Sequence, residues 1–339
     1  MGKEVLVTGG AGFIGSNLVA DLAARGQRVI VYDNLSRKGT AMNLEWLRDT
    51  CGDRIEFIKA DVCDFASLQR AASRAGVIYH LAAQVAVTTS IADPRSDFQV
   101  NALGAFNVLE AARLGGKKPI LLFTSTNKVY GGMEDLRVEE DITRYRFAGR
   151  CDGVSEQRPL DFHSPYGCSK GAADQYVRDY SRIYGLPTVV FRMSCIYGPR
   201  QFGNEDQGWV AHFLISGMKG RPLTVYGNGK QVRDILYVGD LVRAFQAAVE
   251  RIETVRGSVY NIGGGKENTL SLLELLELMR STYGYRISPS FADRRPGDQP
   301  IYVSDIRKAK EELGWEPAVG SSEGIDMLHR WIQAHEKML

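Results

Sequence analysis

Short apolar runs alternate with stretches of helical periodicity through the first half of the chain. Six of these runs, rich in Val, Ile and Leu, predict β-strands at residues 3–8, 28–32, 55–59, 77–81, 120–125 and 188–193. The segments between them are long enough for crossover helices. Nearly continuous apolar strands, each followed by a helix, are typical of a parallel sheet covered on both faces. We therefore expect an α/β fold with a doubly wound parallel sheet.

The pattern changes from about Cys195 onward. Glycine-rich turns at residues 226–229 and 263–265 separate shorter elements, and helical periodicity returns near the C-terminus. We interpret residues 1–194 as one domain and residues 195–339 as a smaller, mixed α/β domain that binds the substrate. The boundary is approximate, because elements beyond Cys195 could return to the main sheet.

A glycine-rich turn, TGGAGFIG at residues 8–15, joins the first predicted strand to the first predicted helix. Gly9, Gly12 and Gly15 permit a tight turn, a close approach to a pyrophosphate and close packing of helix on strand. The second strand leads into Asp33, where an acidic residue meets the adenosine ribose hydroxyls and repels the 2′-phosphate of NADP. These features predict a Rossmann-type NAD site. Arg37 and Lys38 weaken the preference for NAD over NADP, and Asp33 could instead only cap a turn.

Tyr166 and Lys170 lie four residues apart at the start of a predicted helix, a spacing that places both on one face. An ammonium group and a positive nicotinamide ring would both lower the pKa of the tyrosine and let it act as a base. The same pair is common on exposed helices. Here it follows the glycine turn and a strand that ends at Ser125 and Thr126, where folds of this class bind their ligands.

Composition excludes several other classes. The chain is 44% hydrophobic and 24% charged with a formal net charge of +2, so we expect a globular protein without nucleic-acid or membrane partners. Five cysteines without a CxxC pair indicate neither a disulfide framework nor a zinc or other metal site. The early first strand leaves no room for a signal peptide, and we expect a cytoplasmic protein.

These motifs together resemble the extended short-chain dehydrogenase/reductase family over nearly the whole chain. The resemblance rests on the glycine turn, Asp33, the strand end at residues 81–83, Asn101, the segment STNKVYG at residues 125–131, and the Tyr166–Lys170 pair. It implies epimerisation, dehydration or reduction of a nucleotide-linked sugar. Thr126 would hydrogen-bond the reacting hydroxyl, Tyr166 would be the base, and Lys170 would assist it and anchor the ribose.

Downstream segments fit the same resemblance. Arg233 matches the arginine that contacts the phosphates of the sugar nucleotide, and Arg295 and Asp298 match a second phosphate and ribose contact. Both arginines could instead be solvated surface residues. Residues 193–199 resemble the loop beside the nicotinamide, and the family resemblance implies a homo-oligomer formed through residues 102–114 and 166–184.

Two features indicate which reaction is expected. Sugar dehydratases carry Asp-Glu where this chain has Asn127-Lys128, and those carboxyls serve in the loss of water. The long segment between Tyr130 and Tyr166, together with residues 88–90, 161–171 and 207–210, resembles in particular the CDP-paratose (CDP-tyvelose) 2-epimerases. The resemblance implies inversion at C2 by transient oxidation to a 2-keto sugar with bound NAD. The alternatives are a nucleotide-sugar 4-epimerase of the UDP-glucose type, a reductase, and a dinucleotide-sensing protein without catalysis.

The expected site residues follow from these motifs. The candidate cofactor-binding residues are Gly9, Gly12, Phe13, Ile14, Gly15, Asp33, Asn34, Ser36, Arg37, Asp61, Val62, Leu81, Ala82, Ala83, Asn101, Ser125, Tyr166, Lys170 and Met193. The candidate substrate-binding residues are Gln84, Thr88, Thr126, Asn127, Lys128, Ser194, Gln201, Trp209, Val210, Arg233, Arg295 and Asp298. Two of these assignments have an alternative: Asp61 could only form a turn, and Trp209 could belong to the core.

Overall fold

The computed structural model describes residues 4–149, 151–295 and 297–339. The strands are β1 (Glu4–Thr8), β2 (Val29–Asp33), β3 (Ile55–Lys59), β4 (Ala75–His80), β5 (Ile120–Thr126), β6 (Val138–Glu140), β7 (Tyr145–Phe147), β8 (Thr188–Met193), β9 (Cys195–Tyr197), β10 (Thr224–Tyr226), β11 (Val232–Tyr237), β12 (Val259–Ile262), β13 (Thr269–Ser271), β14 (Ser290–Ala292) and β15 (Ile301–Tyr302).

The α-helices are α1 (Phe13–Ala24), α2 (Thr40–Cys51), α3 (Phe65–Ala72), α4 (Val87–Ala92), α5 (Pro94–Phe98), α6 (Gly104–Leu114), α7 (Ser164–Tyr184), α8 (Trp209–Lys219), α9 (Val238–Glu250), α10 (Ile252–Val255), α11 (Leu272–Tyr283), α12 (Arg307–Leu313) and α13 (Ser321–Ala334). Four short 3-10 helices span Gly52–Arg54, Asn127–Tyr130, Lys266–Asn268 and Glu336–Met338, and a π-helical turn spans Gln99–Leu103. Among the described residues, none of the helices has the length and apolar character needed to cross a membrane.

Seven parallel strands form the central sheet in the order β12-β8-β5-β4-β1-β2-β3. Successive residues of β1 point to opposite faces, so Val5 and Val7 pack against α1, α2 and α9, whereas Leu6 packs against α3, α6 and α7. Both faces of the sheet are therefore covered by helices. The predicted doubly wound, Rossmann-type α/β fold is confirmed.

The predicted strands match the observed ones closely. The ranges 55–59 and 188–193 coincide with β3 and β8, while β2 extends to Asp33 and β5 to Thr126, one residue beyond the prediction. Strand β4 begins and ends earlier than predicted, and Lys3 lies outside the described residues. Strand β12 and helix α9 lie beyond Cys195 and complete the main sheet and its cover, as the approximate boundary allowed.

A second region lies over the carboxyl ends of the central strands. Strand β11 pairs in parallel with β9 and β15 and antiparallel with β13, and β10 pairs with β14. Helices α8, α11 and α13 pack around a separate apolar core in this region. The β6–β7 hairpin, from the long segment before α7, contacts the turn before β11, where Tyr145 N donates to Lys230 O at 2.9 Å.

Candidate active site

The glycine turn closes tightly over the carboxyl end of β1. Gly9 has φ +68°, and a Cβ at this position would lie 2.7 Å from the Ala82 nitrogen. A Cβ on Gly15 would lie 2.1 Å from the Gly9 oxygen, so the start of α1 packs directly on the turn. Helix α1 begins at Phe13 without an acidic residue in its first turn. Its exposed N–H groups can therefore bind an anion such as a pyrophosphate.

Asp33, at the end of β2, both supports this turn and lines the adjoining cavity. Its carboxylate accepts hydrogen bonds from Ala11 N at 3.1 Å and Leu35 N at 2.8 Å. Burial raises the pKa of Asp33, although the backbone donors act in the opposite direction. The turn-capping role that we considered as an alternative is thus present, and it leaves Asp33 at the wall of the cavity.

The first cavity, of about 340 Å³, runs along the carboxyl ends of the central strands. Every candidate cofactor-binding residue lines it except Asn101. The buried Asn101 side chain instead accepts from Gln84 N at 2.9 Å and donates to Asp97 at 3.0 Å. Asn101 therefore supports the wall from behind. The cavity is also lined by Asn43 and Arg200, which no local sequence signal indicated.

Tyr166 and Lys170 both line this first cavity from the first turns of α7. Tyr166 also lines the second cavity, so it stands where the two meet. Lys170 Nζ donates to the Thr124 carbonyl at 2.6 Å and lies 4.3 Å from the centre of the Phe123 ring. The helical spacing thus brings the pair together as predicted, with the ammonium held against β5.

Burial dominates the pKa values of this pair in the chain by itself. Burial raises the pKa of Tyr166 to about 12, with a smaller lowering by the Thr126 hydroxyl. Burial lowers the pKa of Lys170 to about 7, opposed by the carboxylates of Asp174 and Asp97. Desolvation thus outweighs the neighbouring charges at both residues in the chain by itself, and the lowering of the Tyr166 pKa by Lys170 together with the nicotinamide ring stays a prediction.

The second cavity, of about 380 Å³, lies between the sheet and the second region. All candidate substrate-binding residues except Gln84 line it, including Trp209, which also packs edge-on against Phe213. Gln84 lines the first cavity, and its side-chain amide donates to Ala86 O at 2.8 Å and Asp97 at 3.1 Å. Gln84 thus holds its own loop instead of facing the second cavity.

Three cations and three carboxylates lie at the wall of the second cavity: Lys128, Arg233, Arg295, Glu205, Asp206 and Asp298. Arg233 Nη2 lies 2.5 Å from Asp298 Oδ1, and Lys128 Nζ lies 3.7 Å from the same oxygen. Burial lowers the pKa of Lys128 to about 8, with Asp298 acting in the opposite direction. Arg233 is buried, so it is not a solvated surface residue. Arg295 stacks on the Tyr226 ring, 3.9 Å from its centre.

A segment between the two cavities was only partly anticipated. Asp206 accepts a hydrogen bond from Thr88 Oγ1 at 2.8 Å and lies 3.6 Å from Arg295. Gln207 lines both cavities and contacts Arg37 of the first. The resemblance had included residue 207, whereas nothing in the local pattern indicated Asp206.

The fold and the two cavities define a class. A glycine turn at the first strand, with a buried Tyr-Lys pair in a cleft at the carboxyl ends of a parallel sheet, is the arrangement of the extended short-chain dehydrogenases/reductases. Comparison with known proteins supports this assignment. Residues 6–328 match the family described as GDP-mannose 4,6 dehydratase.

Full-length relatives and solved structures agree with the family match. The chain is 42% identical over 338 residues to CDP-paratose 2-epimerase of Salmonella typhi, covering 98% of this chain and 99% of the relative. UDP-glucose 4-epimerase of Thermotoga maritima with UDP-glucose superposes with a TM-score of 0.85 at 33% identity, covering 98% and 99% of the two chains. The UDP-glucose 4-epimerase of Thermus thermophilus in complex with NAD gives a TM-score of 0.81 at 35% identity, covering 97% and 99%. The chain therefore belongs to the extended short-chain dehydrogenase/reductase family and is an enzyme of the epimerase type.

Proposed function

We propose that the protein is a nucleotide-sugar 2-epimerase, of the CDP-paratose/CDP-tyvelose or CDP-glucose type, that inverts C2 by transient oxidation. The observation that carries the proposal is the placement of Asn127 and Lys128 in the substrate cavity beside Thr126 and Tyr166. An amide and an ammonium group stand there in place of the two carboxyls with which a dehydratase removes water. The 42% identity to a CDP-paratose 2-epimerase supports the same reaction.

The first cavity fits NAD. Any side chain at Gly9 or Gly15 would collide with backbone atoms, so this turn keeps its backbone open to a pyrophosphate beside the N-terminus of α1. Asp33 offers a carboxylate at the wall where a ribose would lie, which disfavours a 2′-phosphate. When bound, NAD supplies a hydride acceptor and then a hydride donor, so no net redox partner is needed.

The residues of the chain move the proton. Thr126 and Tyr166 share the second cavity, so the Thr126 hydroxyl can hold the C2 hydroxyl of the sugar while the Tyr166 oxygen takes its proton. The bound 2-keto sugar turns its other face, and Tyr166 returns the proton to the inverted centre. Direct deprotonation at C2 is unfavourable because the sugar has no adjacent carbonyl to stabilise a carbanion. Arg233 and Arg295 bind the diphosphate, for which a guanidinium fork is suited.

Because burial raises the pKa of Tyr166 to about 12, the phenol is protonated at neutral pH in the protein alone. A positive charge near a phenol favours the phenolate and lowers its pKa. We therefore expect Tyr166 to become a competent base only when the oxidised cofactor is bound. This links the formation of the base to the presence of a hydride acceptor.

An isotope experiment tests the route and the carbon. CDP-paratose or CDP-glucose deuterated at C2 should give a C2-inverted product that keeps the deuterium at C2, and turnover in heavy water should leave C2 free of solvent deuterium. NMR of the product measures both. Solvent deuterium at C2 would require proton abstraction from carbon and would contradict the proposal. Substrate deuterated at C4 is the matched control and should show no primary isotope effect on turnover.

Tyr166→Phe is the matched variant for the same assay. It removes the proton acceptor and keeps the ring, so turnover should fall by about a hundredfold to ten-thousandfold, the range of general-base contributions. NAD binding, followed by fluorescence quenching, should be retained. A variant that turns over within a few-fold of the wild type would assign the base to another residue.

A second candidate is a UDP-glucose-type 4-epimerase. The superposition with the Thermotoga maritima UDP-glucose 4-epimerase, at a TM-score of 0.85, favours it. The same Thr126, Tyr166 and Lys170 would perform the same proton transfer at C4. Inversion at C4 of a UDP-sugar deuterated at C4, with the deuterium retained, would assign the protein to the 4-epimerases and leave the mechanism unchanged. A sensing protein without catalysis is not favoured, since the chain belongs to an enzyme family and carries this triad.

The proposed function includes a division of the chain into two domains and a homo-oligomer. Residues 195–339, apart from α9 and β12, which complete the central sheet, would supply part of the walls that bind the nucleotide sugar, and residues of the first domain, among them 88 and 126–128, the rest. We also propose a homo-oligomer in which α6 and α7 face a second copy. Both helices carry exposed aromatic side chains, among them Phe106 and Tyr176.

A further inference from the structure

A fully buried ion pair lies behind the Tyr166–Lys170 pair. Asp174 on α7 is 0% exposed and Arg192 on β8 is 2% exposed. Their side chains meet in a bidentate contact, with Arg192 Nε 2.8 Å from Asp174 Oδ2 and Nη2 2.9 Å from Oδ1. Charges buried to this extent persist only when they are paired and hydrogen-bonded.

The network continues from this ion pair into two other elements. Arg192 Nη1 donates to the Tyr130 hydroxyl at 3.0 Å, and that hydroxyl donates to Asn261 Oδ1 at 2.7 Å. Asn261, on β12, donates from its side chain to Val154 O at 2.8 Å and from its backbone to Glu156 Oε1 at 2.7 Å. One set of hydrogen bonds thus connects α7, β8, β12, the 3-10 helix Asn127–Tyr130 and the long segment before α7.

Three of these connected elements carry residues of the candidate active site. Asp174 follows Lys170 by one helical turn and Tyr166 by two, so the three residues share a face of α7. Tyr130 ends the 3-10 helix that begins with Asn127 and Lys128. Arg192 precedes Met193, which lines both cavities. The ion pair therefore fixes the relative positions of groups that approach the substrate from three directions.

We propose that Asp174 and Arg192 are positioning residues for the proposed epimerisation: they hold the Tyr166–Lys170 pair in register with residues 126–128, and Asp174 keeps Lys170 charged. The inference rests on the proposed function for its catalytic consequence. The effect of Asp174 on the charge of Lys170 does not depend on which reaction the protein catalyses.

The charges around Lys170 support the second role. Lys170 is buried among the carboxylates of Asp174 and Asp97, the His80 ring and the Phe123 ring. Burial lowers the pKa of His80 to about 3, so this ring is neutral near pH 7. Asp97 is already engaged by Ser169 Oγ at 2.6 Å. Burial lowers the pKa of Lys170 to about 7, and of the two carboxylates Asp174 opposes this lowering more strongly.

Asp174→Asn is the decisive variant, because it keeps the shape of the side chain and removes its charge. Lys170 is protonated below its pKa, so turnover that needs the ammonium is lost as pH rises through that pKa. Removing the negative charge of Asp174 lowers the pKa further, and the descending limb of kcat against pH should move down by about one pH unit. KM for the sugar nucleotide should stay within a few-fold of the wild type.

Tyr130→Phe is the matched control. It breaks the link from Arg192 to Asn261 and leaves the charges of Asp174 and Arg192 in place. The descending limb should stay where it is in the wild type, while kcat falls by a few-fold through loss of register. If Asp174→Asn does not fold, the double variant Asp174→Asn with Arg192→Gln removes both buried charges together. Loss of the Arg192 charge offsets part of the effect, so a smaller shift in the same direction is expected.

An NMR titration of the Lys170 ε-methylene group gives a readout that does not depend on turnover. In ¹³C-lysine-labelled protein, with Lys170→Met used for assignment, the Lys170 titration should shift to lower pH in Asp174→Asn or the double variant and stay unchanged in Tyr130→Phe. If Asp174→Asn lowers only Tm and leaves the Lys170 titration and the pH profile unchanged, the ion pair only stabilises the fold, and the inference is overturned. A wild type that epimerises no nucleotide sugar would instead contradict the proposed function, and the titration would still decide whether Asp174 keeps Lys170 charged.

Discussion

The pKa of Lys128 lies near physiological pH, because desolvation lowers it and a nearby carboxylate raises it. Its ammonium group donates to Gly297 O at 3.2 Å and lies 3.7 Å from Asp298. Burial nevertheless lowers the pKa of Lys128 to about 8, because desolvation outweighs the nearby carboxylate. A small rise in pH therefore removes a positive charge from the wall of the cavity proposed to hold the substrate diphosphate.

This balance gives a pH prediction. Below about pH 8 Lys128 is protonated and adds to the attraction of Arg233 for an anionic substrate, so KM should be lowest there. KM should rise as pH passes about 8, and initial-rate kinetics from about pH 6.5 to about 9.5 would show the change. Lys128→Arg keeps its charge across this range and should flatten the dependence. Lys128→Met should show a high KM at every pH; a wild-type dependence in this variant would assign the titration to another group.

Two separate elements, strand β11 and the segment after β14, contribute the arginines of the proposed phosphate site. Strand β11 is held on both edges, by β13 and by β9 and β15, so Arg233 projects from a fixed backbone into the cavity. Arg295 comes from a separate segment and is positioned by the Tyr226 ring and by the Glu205 carbonyl, to which it donates at 2.9 Å. The two arginines thus reach one cavity from independent supports.

Arg233→Ala and Arg295→Ala should chiefly raise KM, because a diphosphate remote from C2 is held similarly in the ground and transition states. Each lost charged hydrogen bond is worth about 1.5–3 kcal/mol, which corresponds to a rise in KM of roughly tenfold to a hundredfold. Steady-state kinetics with saturating NAD would measure this effect. A fall in kcat with KM unchanged would show that these arginines position the sugar for chemistry instead.

Local patterns were sufficient for most of the sheet and for the glycine turn. Short apolar runs and the glycines at 9, 12 and 15 depend on a few consecutive residues, so they can be read from one sequence. The return of β12 to the main sheet depends on a pairing with β8 between residues far apart in the chain. For the same reason the pattern could not place Asn101 behind the cavity wall or Gln84 outside the substrate cavity.

The raised pKa of Tyr166 in the chain by itself could not be predicted for a related reason. The spacing of Tyr166 and Lys170 is local, but the burial that dominates their pKa values comes from α4, α5 and β5, which pack on α7 only in the folded chain. Burial favours the neutral form of both groups and outweighs their proximity. Motif spacing therefore predicted which residues meet and could not predict their protonation.

At the scale of the whole molecule, an exposed apolar face includes α7, the helix that carries the proposed base. Helix α7 begins with the turns that carry Tyr166 and Lys170 and ends at Tyr184, and its outer side packs beside α6. Tyr176 and Ile183 are 50% and 66% exposed on this side, and Phe106 packs edge-on against Tyr176. Contiguous apolar side chains of this kind mark interaction surfaces, and a two-fold pairing of the same face would cover them.

We therefore expect a dimer at micromolar concentration, with about twice the monomer mass in sedimentation or light scattering. Ile183→Asp and Tyr176→Glu each place a charge in the proposed interface and should shift the protein towards monomer. Because α7 carries the proposed base at its other end, loss of the partner should also lower Tm and kcat together. Ile142→Asp is the matched control, since Ile142 is 84% exposed and lies near the β6–β7 hairpin, away from α6 and α7. This control variant should keep the mass, Tm and kcat of the wild type. A wild type that sediments as a monomer would contradict the proposed interface.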